Sequence, residues 1–230
     1  MFRSLLILSF SLLLSISRND IYDNSWALLI GIDTYQTVTP NLHYAVDDAE
    51  DMRELLIGQF GFLEDNVTIL KNEEATKQNI LRSFRDITRS AKKNDRVLIF
   101  FAGHGETYKL PEGGEMGYLL PYDSDSDDLY FTSIPMDEFK TLSGMSSSKH
   151  LLFLIDACYG GLASVGTRGL SAETPNYIEK ISKDKSRQVI TAGGRGERAI
   201  EKGEWGHSAF TMNLLRALKN GRADYNADGI

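Results

Sequence analysis

Arg96-Val97-Leu98-Ile99-Phe100-Phe101-Ala102, followed at once by Gly103-His104-Gly105, is the stretch whose reading decides the fold. It is an apolar run of strand length that alternates with nothing polar, the pattern of a strand covered on both faces in a parallel sheet. Trp26 to Ile32 (WALLIGI) and His150 to Asp156 (HLLFLID) read the same way, and Val67 to Leu70 and Gln188 to Ala192 are shorter runs of the same kind. Between them, Ala45, Ala49, Met52, Leu55, Leu56 and Phe60 keep one face at helical spacing, as do Ile80, Phe84, Ile87 and Ala91, and later Phe210, Leu214, Leu215 and Leu218. Strands and helices alternating at these lengths predict one doubly wound α/β domain.

Composition narrows the function classes. With 42% hydrophobic and 25% charged residues the chain is ordinary globular material, which excludes disorder and collagen-like repeats. Its formal charge of −7, with no basic run able to follow a phosphate backbone, excludes nucleic acid as an expected partner. One cysteine, Cys158, cannot form an intrachain disulfide, and one Cys with four His argues against a thiolate-rich zinc site. The thiol is therefore either core filling or a reagent.

Residues 1–20 differ from the rest. Met1-Phe2-Arg3 is a short positive start, Ser4 to Ile16 is apolar, and Ser15-Ile16-Ser17 offers small residues at the spacing of a signal-peptidase site. The run is short for a bilayer span. The expectation is a cleaved secretory signal with a mature start near Arg18, placing the protein in the secretory pathway or outside the cell. Without such a signal it is cytoplasmic, and any membrane contact is confined to this segment. In an oxidising compartment a single free thiol is conspicuous, and Asn66-Val67-Thr68 becomes a glycan acceptor.

Two stretches interrupt the alternation: Tyr122 to Asp128 (YDSDSDD), an acidic loop, and Gly160 to Lys185, a connection long enough to be functional. The chain stops at Ile230 without the closing strand such a sheet is normally given, so a truncated C-terminus is expected.

In open α/β sheets ligands bind beyond the carboxyl ends of the strands. There RVLIFFA leads into Gly103-His104-Gly105, and HLLFLID leads through Ala157 into Cys158-Tyr159-Gly160-Gly161. If the two strands are neighbours, about 4.8 Å apart, His104 and Cys158 emerge side by side, and the imidazole can take the thiol proton. The Gly105 and Cys158 amides could then serve an oxyanion hole, where side-chain-free backbone lets a carbonyl approach. Against this stands the plainer reading of a core cysteine and of glycines that only make turns. His43, His150 and His207 compete as bases, but His150 opens its strand at the wrong rim, and His43 and His207 lack the glycine context of His104. Thr191 to Arg198 (TAGGRGER) is Gly-rich but lacks the Lys-Ser/Thr of a phosphate loop.

FFAGHGE and then LIDACYGG resemble the catalytic His and Cys blocks of the caspase-like clan of cysteine peptidases, whose caspase members place these residues about 50 positions apart. WALLIGIDTYQ, LHYAVDDAEDMRELL, Gly61-Phe62, ATKQNIL, GYLLPYD and HSAFTMNLLRAL are similar to the metacaspase-like caspase-domain proteins. The resemblance runs from Trp26 nearly to the end. It implies an α/β fold, a mostly parallel sheet flanked by helices and lacking its last strand in this chain. It implies a domain over 24–230, with a large-subunit-like part (24–165), a linker (166–186) and a truncated small-subunit-like part (187–230). It also implies a cysteine endopeptidase in which Cys158 attacks, His104 serves as base and then acid, and Gly105 and Cys158 amides form the oxyanion hole. No third triad member is named, since relatives manage with a dyad.

The resemblance also bears on specificity and control. Animal caspases read an acidic side chain with arginines, but Asn41-Leu42-His43-Tyr44 carries none, and the residue two before the nucleophile is Asp156 rather than Gln. In metacaspases that Asp and one near the start of the first helix, matched by Asp48, form an acidic pocket, so cleavage after Arg or Lys is expected. The plainer reading of Asp48 is an acid favoured by the helix dipole. No cofactor is required. Calcium is a candidate activator through Asp123 and Asp137, although Val165 stands seven residues past Cys158, where calcium-dependent members carry Asp. Asp224 to Gly229 (DYNADG) matches half of an EF-hand loop and lacks the closing Glu. Protein or peptide substrates are the expected partners, nothing assigns an oligomeric state, and no metal ligand set is named. In the linker, Thr167-Arg168-Gly169 makes Arg168 a candidate self-cleavage point, near Lys180, Lys183, Lys185 and Arg187. The rivals are a catalytically silent caspase-fold scaffold, and another hydrolase or transferase using the same Cys.

Overall fold

The computed structural model describes residues 21–157, 183–193 and 200–219. Their apolar runs become the strands β1 (Ser25–Gly31), β2 (Val67–Lys71), β3 (Arg96–Ala102), β7 (His150–Asp156) and β8 (Ser186–Thr191). These form one sheet in the order β2-β1-β3-β7-β8, every neighbouring pair parallel. β1 lies between β2 and β3, so successive connections leave it on opposite sides. That reversal opens a crevice at the carboxyl ends of β1 and β3.

Both faces of the sheet are covered, which is why its strands carry no polar alternation. Leu28, Ile30, Ile99, Phe101 and Phe153 face α2 (Lys77–Ser90) and α3 (Met136–Met145), where Phe84 stacks on Phe153 with ring centroids 6.0 Å apart. Ala27, Leu29, Phe100 and Leu154 face α1 (Ala45–Phe60) and α4 (Ala209–Lys219). α1 presses closely on β1. A Cβ on Gly31 would sit 2.4 Å from the Ala45 carbonyl oxygen, so a glycine is required for the first turn of α1 to reach the sheet end. Asp33, just past β1, accepts the Ala45 N–H at 2.8 Å and fixes where the helix begins.

Three elements differ from the sequence expectation. Directly after His104 the chain forms a small antiparallel sheet, β4 (Gly105–Lys109), β5 (Glu115–Leu119) and β6 (Ile134–Pro135). Its strands are short, β4 is largely exposed and β5 and β6 bury only Gly117, Tyr118, Leu119 and Ile134, so they lack the apolar run by which the central strands are recognised, although Gly113 and Gly114, both at positive φ, mark the turn. α3 buries only Met136, Phe139 and Ser143, too few for a clear helical period. β8 begins two residues earlier than the run at Gln188 suggests, because Ser186 pairs with His150.

That early start involves Arg187, which the sequence reading groups with the solvated basic residues of the connection. Instead its guanidinium donates to the carbonyls of Ser143, Ser146, Ser148, Lys149 and Ser186 at 2.9–3.3 Å. The planar fork matches this set of acceptors, and the contacts tie β8 to the end of α3. Replacing Arg187 by Met removes a donor from all five carbonyls, of which those of Ser143 and Lys149 keep the N–H of Ser146 and Ser186. The expected loss is about 2–4 kcal/mol of unfolding free energy, read as a lower urea midpoint at unchanged slope, with Arg187→Lys recovering only part.

Candidate active site

At the crevice, the ends of β1, β3 and β7 and the start of α1 surround a cleft of about 370 Å³ lined by Pro40, Leu42, Asp48, His104, Gly105, Asp156, Glu201 and Ser208 among others. β3 and β7 pair in register with Ala102 opposite Asp156, and the Gly103 N–H donates to the Asp156 carbonyl at 3.1 Å. His104 therefore leaves the sheet level with the end of β7. Cys158 follows two residues after Asp156 and lies outside the described residues, as do Arg168, the rest of the connection up to residue 182, residues 194–199, 1–20 and the 224–229 motif.

His104 is held by two residues from the loop after β1. Its backbone N–H donates to the Tyr35 hydroxyl at 2.7 Å, with the two rings 5.0 Å apart. Gly103 makes this approach possible, since a Cβ there would meet the Tyr35 oxygen at 2.8 Å. The His104 Nε2 lies 2.7 Å from the Pro40 carbonyl oxygen. A carbonyl only accepts, so Nε2 carries the proton and in the neutral ring Nδ1 keeps its lone pair. Neither Tyr35 nor Pro40 is singled out in the sequence as a site residue: Tyr35 acts through a hydroxyl that only the fold brings to His104, and Pro40 through a backbone carbonyl, which has no residue signature.

Asp48 and Asp156 are brought to the same cleft, both nearly fully buried. Their hydrogen bonds come from one short segment, β10 (His207–Ser208) and the first turn of α4. Ser208 donates its N–H to Asp48 Oδ2 at 3.2 Å and its hydroxyl to Asp156 Oδ2. Thr211 donates its hydroxyl to the same Asp156 oxygen at 2.6 Å, and His207 Nδ1 lies 2.7 Å from Asp48 Oδ1. Ser208 thus spans the two carboxylates. The sequence reading sets His207 aside because it lacks the glycine context of His104; the structure places it against Asp48 because β10 folds over α1. The plainer reading of Asp48 also holds in part, since it lies in the first turn of α1.

Burial pushes the Asp48 carboxyl up to about 7, the charge on Asp156 adds to the rise, and the bonds from His207 and Ser208 offset only part. Burial likewise raises Asp156, opposed by Ser208 and Thr211. The cleft thus gains negative charge as pH rises toward and through neutrality. His43 does not line the cleft but donates its backbone N–H to Glu201, which does, and His150 bonds Tyr22 and the Asp184 carbonyl at the opposite end of the sheet.

Asp123 accepts the first N–H of α2, from Lys77, at 2.8 Å, and Asp137 sits in the first turn of α3. Among the described residues, no group of three His, Cys, Asp or Glu side chains is disposed to hold an ion.

The caspase-domain family model matches residues 24–228. The chain belongs to the caspase-domain family. Its caspase domain is similar to metacaspase-1 of Eremothecium gossypii (29% identical over 184 residues, 73% of this chain and 39% of the relative) and to metacaspase-7 of Arabidopsis thaliana (30% over 172 residues, 68% and 40%). Metacaspase-1 of Schizosaccharomyces pombe matches at 29% over 184 residues, 73% and 41%. The chain therefore spans about two-fifths of the length of these curated relatives. A protein of known crystal structure from Geobacter sulfurreducens shares the fold, with a TM-score of 0.64 at 18% identity over 89% of this chain and 88% of that one.

The buried acids of this caspase domain set a pH dependence of stability. Asp48 is raised in the folded state above its unfolded value, so its stabilising contribution is complete below about pH 4 and is lost as pH rises through about 7. Wild type is expected to lose stability between pH 5 and pH 8, and Asp48→Asn to flatten that loss, as measured by denaturant midpoints across the range. An equal slope in both proteins would remove Asp48 as its source.

Proposed function

We propose that the protein is a cysteine endopeptidase that cuts after Arg or Lys. The observation that carries this reading is the pair of buried carboxylates, Asp48 and Asp156, in the cleft that His104 lines. Two carboxylates facing one cavity suit a guanidinium or ammonium by charge and by number of acceptors, whereas an acidic side chain there would meet like charge. Family membership supports the chemistry, and the named relatives support peptide bonds as the target.

In this mechanism Nδ1 of His104 takes the Cys158 thiol proton, and the thiolate sulfur attacks the scissile carbonyl carbon. The oxyanion is stabilised by the Gly105 and Cys158 amides. The strand register keeps the Gly105 N–H out of the β4–β5 ladder: the Leu120 N–H donates to the His104 carbonyl, so Gly105 and Leu119 are a pair without mutual hydrogen bonds, and the Gly105 amide points away from β5. The protonated His104 gives its proton to the leaving amine as the C–N bond breaks. Water, deprotonated by His104, then hydrolyses the thioester and restores the thiol. The Pro40 carbonyl orients the imidazole throughout by holding Nε2–H. No step is routed through calcium.

Arg168 in the linker fits the same specificity and is the proposed point of self-processing. The N-terminal segment directs the chain to the secretory pathway in this reading.

The test is hydrolysis of fluorogenic peptides ending in Arg, Lys or Asp by the full chain, Cys158→Ala and His104→Ala, with and without calcium. Turnover of the Arg and Lys peptides, lost at least a thousandfold in Cys158→Ala, is expected. Turnover of the Asp peptide alone would overturn the acidic pocket. No turnover by a folded protein under any condition would favour a silent scaffold. Two fragments from wild type and one band from Cys158→Ala would support cleavage at Arg168.

A further inference from the structure

His207 does not line the cleft, yet it stands directly behind one of its two acids. Its Nδ1 lies 2.7 Å from Asp48 Oδ1, and its Nε2 lies 3.5 Å from Asp51 Oδ2, one turn further along α1. A neutral imidazole has one N–H and would turn a lone pair toward one of these carboxylates; an imidazolium presents N–H to both. The ring therefore stands between two carboxylates, with the Nδ1–Asp48 contact the shorter of the two. The other charged groups around it are Lys219 at the end of α4, which reaches the same Asp51 oxygen at 3.2 Å, and Lys202, its partner across β9 (Glu201–Lys202), whose ammonium lies over the Trp205 ring at 4.8 Å. Asp51 is thus shared between His207 and Lys219, while Asp48 has no cation other than His207 in contact among the described residues.

Asp48 needs that support. It is buried and faces a second carboxylate, Asp156, and two such groups in one site resist ionising together. Apart from His207, its side chain receives among the described residues only the Ser208 N–H, at 3.2 Å. We propose that His207 is a positioning residue for substrate specificity: bridging Asp48 and Asp51, it keeps Asp48 charged and aimed, so recognition of a basic side chain depends on a residue that does not touch it. The inference rests on the Arg/Lys reading above. It extends that reading by assigning the pH range of recognition to a particular side chain behind the pocket.

The experiment compares kcat/KM for a fluorogenic peptide ending in Arg with that for the same peptide ending in citrulline, its uncharged isostere, from pH 5.5 to 8.5. The ratio cancels the titration of Cys158 and His104 and isolates the pocket. In wild type the ratio should rise with pH to a plateau. In His207→Ala the rising limb should move up by about one pH unit, a roughly tenfold lower ratio on the acid side, with a smaller loss at alkaline pH, where only the aiming contact is missing. His207→Asn keeps a neutral donor near the Nδ1 position and should shift the limb by a smaller amount in the same direction. It also answers the question if the alanine variant does not fold. A large ratio whose limb stays put in both variants would overturn the role of His207 and leave the Arg/Lys reading intact. A ratio near one in wild type at every pH would overturn that reading and this inference with it.

Discussion

The parallel pairing of β3 with β7, Ala102 opposite Asp156, is the constraint on which the rest of the site depends. It brings the ends of two strands level at one rim, so the residues that follow, His104 on one side and Asp156 with its successors on the other, share a cleft by geometry of the sheet. A slip of one residue would turn the inward faces of β3 outward and bury the wrong side chains in both cores. The apolar layers on the two faces, with Phe84 on Phe153 in one and Phe100 and Leu154 in the other, hold that register. Packing energy spread over the whole sheet is thereby converted into positional accuracy at its rim.

Around that rim the structure places polar groups where they oppose stability. Two nearly dry carboxylates in one cleft are unfavourable as charges, and a core of that volume filled by apolar side chains would be more stable. The donors Ser208, Thr211 and His207 reduce the cost without removing it. All three belong to the segment after β9, which in chain order is far from Asp48 and comes after Asp156. The cleft therefore has its full charge pattern only when the C-terminal part of the domain is folded against the N-terminal part. Arg187 contributes to the same coupling at the other end of the sheet, where its fork of donors ties β8 to carbonyls around the end of α3.

Glycines at two positions allow the close approaches that the site needs. Gly31 lets the start of α1, and with it Asp48, come against the end of β1, and Gly103 lets the Tyr35 hydroxyl reach the His104 amide. In both places a single methyl group would occupy space held by backbone or by a positioned oxygen. The imidazole of His104 is then oriented from the loop after β1, through Pro40, and not from the strand that carries it.

The amino-acid sequence by itself determined the five central strands, the principal helices and the α/β class, because a sheet covered on both faces writes itself as uninterrupted apolar runs and an amphipathic helix as a 3.6-residue period. It also marked His104, Asp48 and Asp156, which stand at strand and helix ends beside recognisable motifs. The antiparallel strands β4 to β6 escaped because strands this short carry too few apolar positions to form a pattern. Only the tertiary structure decided that the Pro40 carbonyl holds His104, that Ser208 spans the two acids, and that His207 stands between Asp48 and Asp51. Those relations join residues distant in the chain through single hydrogen bonds and ion pairs. Such contacts have directions and distances but no periodicity, and so leave no trace in the order of the residues.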